Sequence, residues 1–452
     1  MCLKWITKRW SGQSMVRFLK TILIFISYAI VGYSDSILGV NMGQFEIALD
    51  AKTNQTSMLA SVSFAGFTLG NVILSVLPTS SNPRCGMKAN LQVVYISCLF
   101  VSCVCNFVIP HVASHFIPLS FLILLSGISG GIIQAASIAR VLILWGKESS
   151  VYLQVLDLVY SIGAIIGPFV CQPFLVDVPQ TLHTNNTLSE GVERTPTPAD
   201  LMLVFPYGII AIIGSLTFLI SILVYIKWSK DQDHPSRNQE QEESSDPSTK
   251  TQEVTIPFWK TFLMVSLASL TYAFTNGMLN IESIFLTKYV SSSGFNLPSA
   301  TGASLLGTSW TVHVVSVVVF VFLIRFLGVG VSLSIGVTLI LLSNMVLLLT
   351  TACGFYSPTV LWLCVVLMSI GGSTFFGPLV AFMEMYFPVS PAASSFYLIP
   401  NCIGNILWPL FVGHLFDNNP DIVVHSMASC AVISTILVLM IIIVADKMFK
   451  KK

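Results

Sequence analysis

Charge is what this chain has least of. Asp, Glu, Lys and Arg make up 10% of its 452 residues, against roughly 25% in an ordinary soluble domain. With 54% hydrophobic residues, there is more apolar surface than one soluble core of this length can hide. The formal net charge of +1 gives nothing in favour of a nucleic-acid partner, and none is expected. Metal spacing is missing as well. Of ten cysteines, Cys98, Cys103, Cys105, Cys171, Cys364, Cys402 and Cys430 fall inside apolar runs, with no pair set beside histidines as a metal site requires. There is no His-Glu-x-x-His and no phosphate loop. Neither enzyme, cofactor nor bound metal is expected.

What remains is a series of apolar runs of bilayer-crossing length, about 20 residues each. The spacing predicts about twelve spans, at approximately 18–40, 57–77, 89–110, 116–145, 151–175, 202–228, 258–281, 301–325, 329–350, 358–386, 393–416 and 423–445. One long polar stretch interrupts them, Ser229 to Ile256, rich in Ser, Gln and Glu and without apolar period. The expected fold is therefore an all-α membrane protein of two six-helix bundles. Its parts are a cytoplasmic N-terminus (1–17), a first bundle (18–228), a disordered cytoplasmic linker (229–257), a second bundle (258–445) and a basic tail (446–452).

Orientation follows from the cations. With the termini in the cytoplasm, nineteen of the 22 lysines and arginines fall inside, and only Lys52, Arg194 and Lys288 fall outside. Two glycosylation acceptors, Asn54-Gln-Thr56 and Asn185-Asn-Thr187, land in loops assigned to the outside. A multi-pass glycoprotein of the plasma membrane, monomeric and with both termini cytoplasmic, is expected.

Local strings add a resemblance. Gly372-Ser-Thr-Phe-Phe-Gly-Pro378, Ala381-Phe-Met-Glu384, Tyr386-Phe-Pro-Val389, Gly404-Asn405, Pro409-Leu-Phe-Val-Gly413 and Leu415-Phe-Asp417 resemble spans ten and eleven of one transporter group. That group is the sodium-dependent glucose transporter type 1, or major facilitator superfamily domain-containing protein 4, group within the major facilitator superfamily. Leu144-Trp145-Gly146, Gly163-Ala164 and Gly167-Pro168 fit it too. The resemblance implies alternating access and a hexose such as glucose, with sodium as a co-transported ion. It also shows departures. Gln134, Asn276 and Asn405 stand where the group tends to carry acids, and Ser81-Asn-Pro-Arg84-Cys-Gly86-Met-Lys88 lacks the usual aspartate.

Charges inside a bilayer are costly and ask for a functional account. Asp35, Asp157 and His313 are the candidates for ion coupling, with sodium or a proton as the ion. Asp35 could equally be a carboxylate bonded to a neighbouring span. Asp157 could pair with Arg140, and His313 could bond a neighbouring helix. Arg140, Arg325 and Glu384 are candidate gating charges, the last two as a salt bridge. Gln134, Asn276, Asn280, Thr374, Asn401 and Asn405 donate and accept hydrogen bonds together, which suits a hydroxylated solute. Trp310 and Trp408 could offer flat faces to a sugar ring, although Asn and Gln also join helices in lipid. The alternatives left open are a proton-coupled or facilitative carrier of another organic solute, and a non-transporting receptor or sensor on the same scaffold.

Overall fold

The computed structural model describes residues 12–77, 90–146, 149–177, 201–228, 258–386 and 391–449, all of whose regular structure is helical. The first six long helices are α1 (Gly12–Val40), α3 (Thr53–Val76), α4 (Leu91–Val112), α5 (Phe116–Trp145), α6 (Ser149–Cys171) and α7 (Val204–Trp228), with the short α2 (Met42–Leu49) between α1 and α3. The second half holds α8 (Phe258–Ser292), α9 (Ser299–Leu327), α10 (Val329–Ala352), α11 (Pro358–Gly372), α12 (Phe376–Glu384), α13 (Pro391–Phe416) and α14 (Ile422–Phe449). Taking α11 and α12 as one crossing, twelve helices among the described residues are long and apolar enough to span a bilayer. The linker 229–257 and Asn185 lie outside the described residues.

Three local differences from the expected spans have physical reasons. Helix α1 starts at Gly12 rather than 18, and α14 runs to Phe449. Both continue past the apolar core, and Arg17 lies over the Trp145 ring at 5.6 Å in the manner of an interfacial anchor. The tenth span is not continuous. Pro378 has no N–H to give the Thr374 carbonyl, and the ladder breaks over Ser373–Phe375, where the Thr374 N–H turns back to Gly371. The third difference is α2, a short helix standing outside the spans where only a connection was expected.

Each half repeats one packing scheme. Helix α1 lies on α6, α3 on α5 and α4 on α7, while α8 lies on α13, α9 on α11 and α10 on α14. Lipid supplies no hydrophobic drive between helices, so close approach of small residues matters most. Gly66 and Gly70 of α3 interlock with Gly127 and Gly131 of α5, each so near the other backbone that a Cβ would overlap it. Helix α7 shows the opposite, lipid-facing character, with Ile212, Leu216, Leu219, Leu223 and Ile226 exposed.

The apolar cores are distributed unevenly along the molecule. At the end away from the termini one cluster joins both halves, from Ile37, Phe45 and Leu59 to Phe285, Val412 and Phe416. Toward the termini three clusters each stay within one half: around Met264 and Phe382, around Tyr95 and Ile133, and around Ile24 and Leu156. The halves are thus fused at the far end and separate toward the termini.

Candidate functional site

The first half gathers a chain of polar groups from four helices. Gln134 of α5 donates to the Tyr28 hydroxyl of α1 at 3.1 Å and accepts from Asn71 of α3 at 3.3 Å. Tyr28 and Tyr160 (α6) bring their rings within 5.7 Å, and the Tyr160 hydroxyl donates to Asp35 Oδ2 at 2.9 Å. Asp35 also borders a cavity of about 30 Å³ inside this half, lined by Ser34, Ser63, Ser102, Asn106 and Ser126. Asn106 gives its N–H groups to Ser102 and turns Oδ1 toward Ser34, 3.4 Å away. Leu38, Phe67, Ile109 and Ile123 complete a mainly apolar lining in which these oxygens are set, with room for about one water or small cation.

The second half gathers four amides on two helices. Asn276 Nδ2 (α8) donates to Oδ1 of Asn401 at 2.8 Å and of Asn405 at 3.2 Å on α13, and Asn280 Nδ2 reaches Asn405 Oδ1 at 3.3 Å. Both Asn405 and Asn401 then keep their own N–H groups without a protein partner among the described residues. Trp408 continues this face one turn on, edge-to-face with Phe274 at 6.1 Å and filling the space over Gly277. Tyr272 and Tyr397 stack at 5.1 Å nearer the termini. The charge of Asp157 acts on Tyr28, Tyr160 and also Tyr272 of the opposite half, which places it between the halves.

Not all the sequence candidates converge. Arg140 does not pair with Asp157; its guanidinium lies over the Tyr95 ring at 4.4 Å, a cation–π contact inside the first half. Tyr95 is fully buried there, whereas Asp157 is exposed. Thr374 is buried in the break of the tenth span and bonded to Gly371, against Gly336 of α10. Trp310 and His313 stack edge-to-face at 5.9 Å within the second half. Glu384 is exposed, while the side chain of Arg325 lies outside the described residues. A larger groove of about 550 Å³ opens on the outer flank between α10, α12 and α14 rather than between the halves.

The charge pair that does span the halves was not anticipated. Glu46 of α2 and Lys288 of α8 form a salt bridge at the far end, their side chains 14% and 12% exposed. Thr56 donates to Glu46, Lys288 also reaches Thr53, and Thr53 bonds Asp417 after α13. The Lys288 ammonium lies 4.7 Å over the Phe416 ring. Burial pushes the Glu46 carboxyl up from its usual range, against the opposing pull of Lys288. Asn54 lies 3.4 Å from His414 in the same seam, and Asp177 of the first half caps α9 through the Ser299 N–H at 2.6 Å. Backbone closeness completes the seam, because a Cβ on Gly39 (α1) would strike the main chain of Ser283 (α8).

This is two matched bundles with half-exposed polar faces, sealed at one end and parted at the other. A family model described as Major Facilitator Superfamily matches residues 24–409. The chain belongs to that superfamily. It is a multi-pass membrane transporter of a solute, as the members of this superfamily are. Mouse "Sodium-dependent glucose transporter 1A" is 21% identical over 328 residues, covering 69% of this chain and 72% of the mouse protein. Zebrafish "Major facilitator superfamily domain-containing protein 4A" is 26% identical over 130 residues, 29% of this chain and 22% of the fish protein. Among solved structures, the xylose transporter XylE from E. coli, in a partially occluded inward open conformation, superposes with a TM-score of 0.68 at 10% identity, over 96% of this chain and all of XylE. The nucleoside transporter NupG gives 0.61 at 14% identity, over 97% of this chain and 100% of NupG. These likenesses show the fold.

Gly127-Ile-Ser129-Gly-Gly131 matches the letters of a hydrolase nucleophile turn, but it lies in mid-helix against α3, and Ser129 donates to Leu125 of its own helix at 2.8 Å.

Proposed function

We propose that this transporter carries a small, neutral, polyhydroxylated solute, a hexose such as glucose, between its two halves by alternating access. The observation that carries the reading is the pair of amide clusters, Asn71–Gln134 and Asn276–Asn401–Asn405, on helices of opposite halves. Amides bridge vicinal hydroxyls by donating and accepting at once, and Trp408 beside them offers an apolar face for the C–H side of a ring. Support comes from the mouse relative, whose name specifies glucose and sodium dependence, and from XylE, named for xylose.

The excess of cations around the termini puts them in the cytoplasm. The sealed end then faces outside and the described state is inward-facing. Asp35 and the small cavity beside it are the place for a co-transported cation. A single carboxylate among hydroxyls matches one positive charge, and the cavity connects through Tyr160, Tyr28 and Gln134 to the solute face.

Uptake of labelled D-glucose by proteoliposomes tests the reading, with and without a sodium gradient. Uptake is expected to fall at least tenfold in Asn405→Ala and to lose its sodium dependence in Asp35→Asn. Folded protein that takes up no hexose under either gradient would end the proposal and favour another solute or a sensor.

A further inference from the structure

The second half holds a carboxyl that neither the solute face nor the far-end seam uses. Glu282 of α8 is 2% exposed, and its Oε1 meets no hydrogen-bonding partner among the described residues. The polar side chain that interacts with it is Ser309 of α9. Ser309 Oγ lies 2.8 Å from Ser369 Oγ of α11, and Ser369 donates to the Val365 carbonyl at 2.7 Å.

A hydroxyl has one proton to give. Ser369 has given its proton to Val365, so the proton between the two serines comes from Ser309. Ser309 then has none left for Glu282, and their contact needs a donor that only a protonated Glu282 can supply. The chain runs one way: carboxyl to Ser309, to Ser369, to Val365. An ionised Glu282 would instead take the Ser309 proton. Ser309 and Ser369 would then share no proton unless Ser369 released Val365, and the tie between α9 and α11 would be lost or redrawn.

The tie lies beside the break in the tenth span. The Ser369 carbonyl receives the Ser373 N–H at 3.3 Å, at the last turn before α11 ends, and also interacts with His313. His313 is the titratable group next to the chain, and no charged side chain of the surrounding helices acts on Glu282 among the described residues. Lys288, on the same helix, is engaged with Glu46.

Asp35 of α1 borders the cavity inside the first half, and Glu282 of α8 meets Ser309 inside the second. Each half thus turns one carboxyl from its first helix into its own interior.

We infer that Glu282 is a proton-binding site whose occupancy, relayed by Ser309 and Ser369, sets the tie between α9 and the broken tenth span. The site takes one proton from water admitted between the halves and returns it the same way. It rests on the alternating-access reading for its consequence, but not on the identity of the solute.

Infrared difference spectra of the full-length protein in nanodiscs, recorded across a pH series, test the site directly. The wild type is expected to show a buried carboxylic C=O band that titrates. Glu282→Gln should abolish it, and Ser309→Ala should shift it to higher wavenumber by removing its acceptor. Asp35 and Glu46 are enclosed carboxyls too, so the band in question is the one lost between wild type and Glu282→Gln; a wild-type-minus-Glu282→Gln difference with no titrating C=O band would overturn the inference. Should Glu282→Gln fail to fold, the Ser309→Ala shift decides, since an unshifted titrating band belongs to another carboxyl. Labelled D-glucose uptake by proteoliposomes supplies the second arm: Glu282→Gln should flatten its pH dependence at least threefold. Absent glucose uptake in the wild type would count against the hexose reading, leaving the infrared result to judge the proton site.

Discussion

Replacing Lys288 with methionine keeps the aliphatic stem over Phe416 and removes the one cation facing Glu46 among the described residues. The Glu46 carboxylate then stays in a seam where it is 14% exposed, without its partner. Breaking a buried pair from one side costs about 3–5 kcal/mol, and the residual water access argues for the lower figure. At about 1.4 kcal/mol per tenfold, a loss of about 3 kcal/mol moves the balance from sealed to open by roughly a hundredfold. Ser61 reports on that balance. It is 4% exposed and its hydroxyl donates across the halves to the Ile406 carbonyl at 2.8 Å. With the exposed Cys353 changed to Ser, Ser61→Cys should react slowly with an impermeant maleimide applied from outside, and far faster when Lys288→Met is added. The pair Glu46→Leu with Lys288→Met, which leaves no stranded charge, should restore much of the protection. Equal labelling of Ser61→Cys with and without Lys288→Met would refute the seam, as would a double variant more open than Lys288→Met alone.

Acidity should favour the same seal. Burial raises Glu46 in the closed seam, whereas an open seam returns it to water, so closing binds protons between the ordinary and the raised value. This contribution is present at low pH and fades as pH rises through the raised value; outside labelling of Ser61→Cys should therefore slow on mild acidification, and Glu46→Gln should remove the effect. Two glycines should separate conformational from folding effects. Gly39→Ala puts a methyl into the backbone of Ser283 in the other half and should raise outside labelling with little change in Tm, while Gly163→Ala strikes Ala29 within one half and should lower Tm by several degrees. Asn405→Leu strips the shared acceptor from Asn276 and Asn280; Asn276 keeps Asn401 and Asn280 keeps the residue 405 carbonyl, so the cost lies at the low end of about 1–3 kcal/mol, read as a weaker D-glucose competition curve with near-normal expression.

The crossings could be read because each is an uninterrupted apolar run, and bilayer thickness fixes its length. The break at Ser373–Phe375 was written in Pro378, but a Gly-Pro pair reads as a bend before it reads as a gap. The far-end pair was not legible. Glu46 and Lys288 stand 242 residues apart, and Lys288 alone looks like an ordinary outside lysine at a span's end. Arg140 misled for a related reason, since sequence reports the depth of a charge in the membrane but not the side of the helix it faces, and here that side holds Tyr95. The asparagines of α8 and α13 were found singly by their polarity; that Asn405 accepts from two of the others depends on how the helices cross. Glu282 had a usable signal in its own right, as an acid inside an apolar span.

The far-end seam is closed by main chain as much as by charge. Where Gly39 abuts Ser283 and Gly413 abuts Ser57, there is no long side chain that can swing aside to admit a single ion or a file of water. Separation there requires whole helices to move apart together. A barrier of that kind yields abruptly or stays shut, which protects a membrane potential from slow leakage during each turnover.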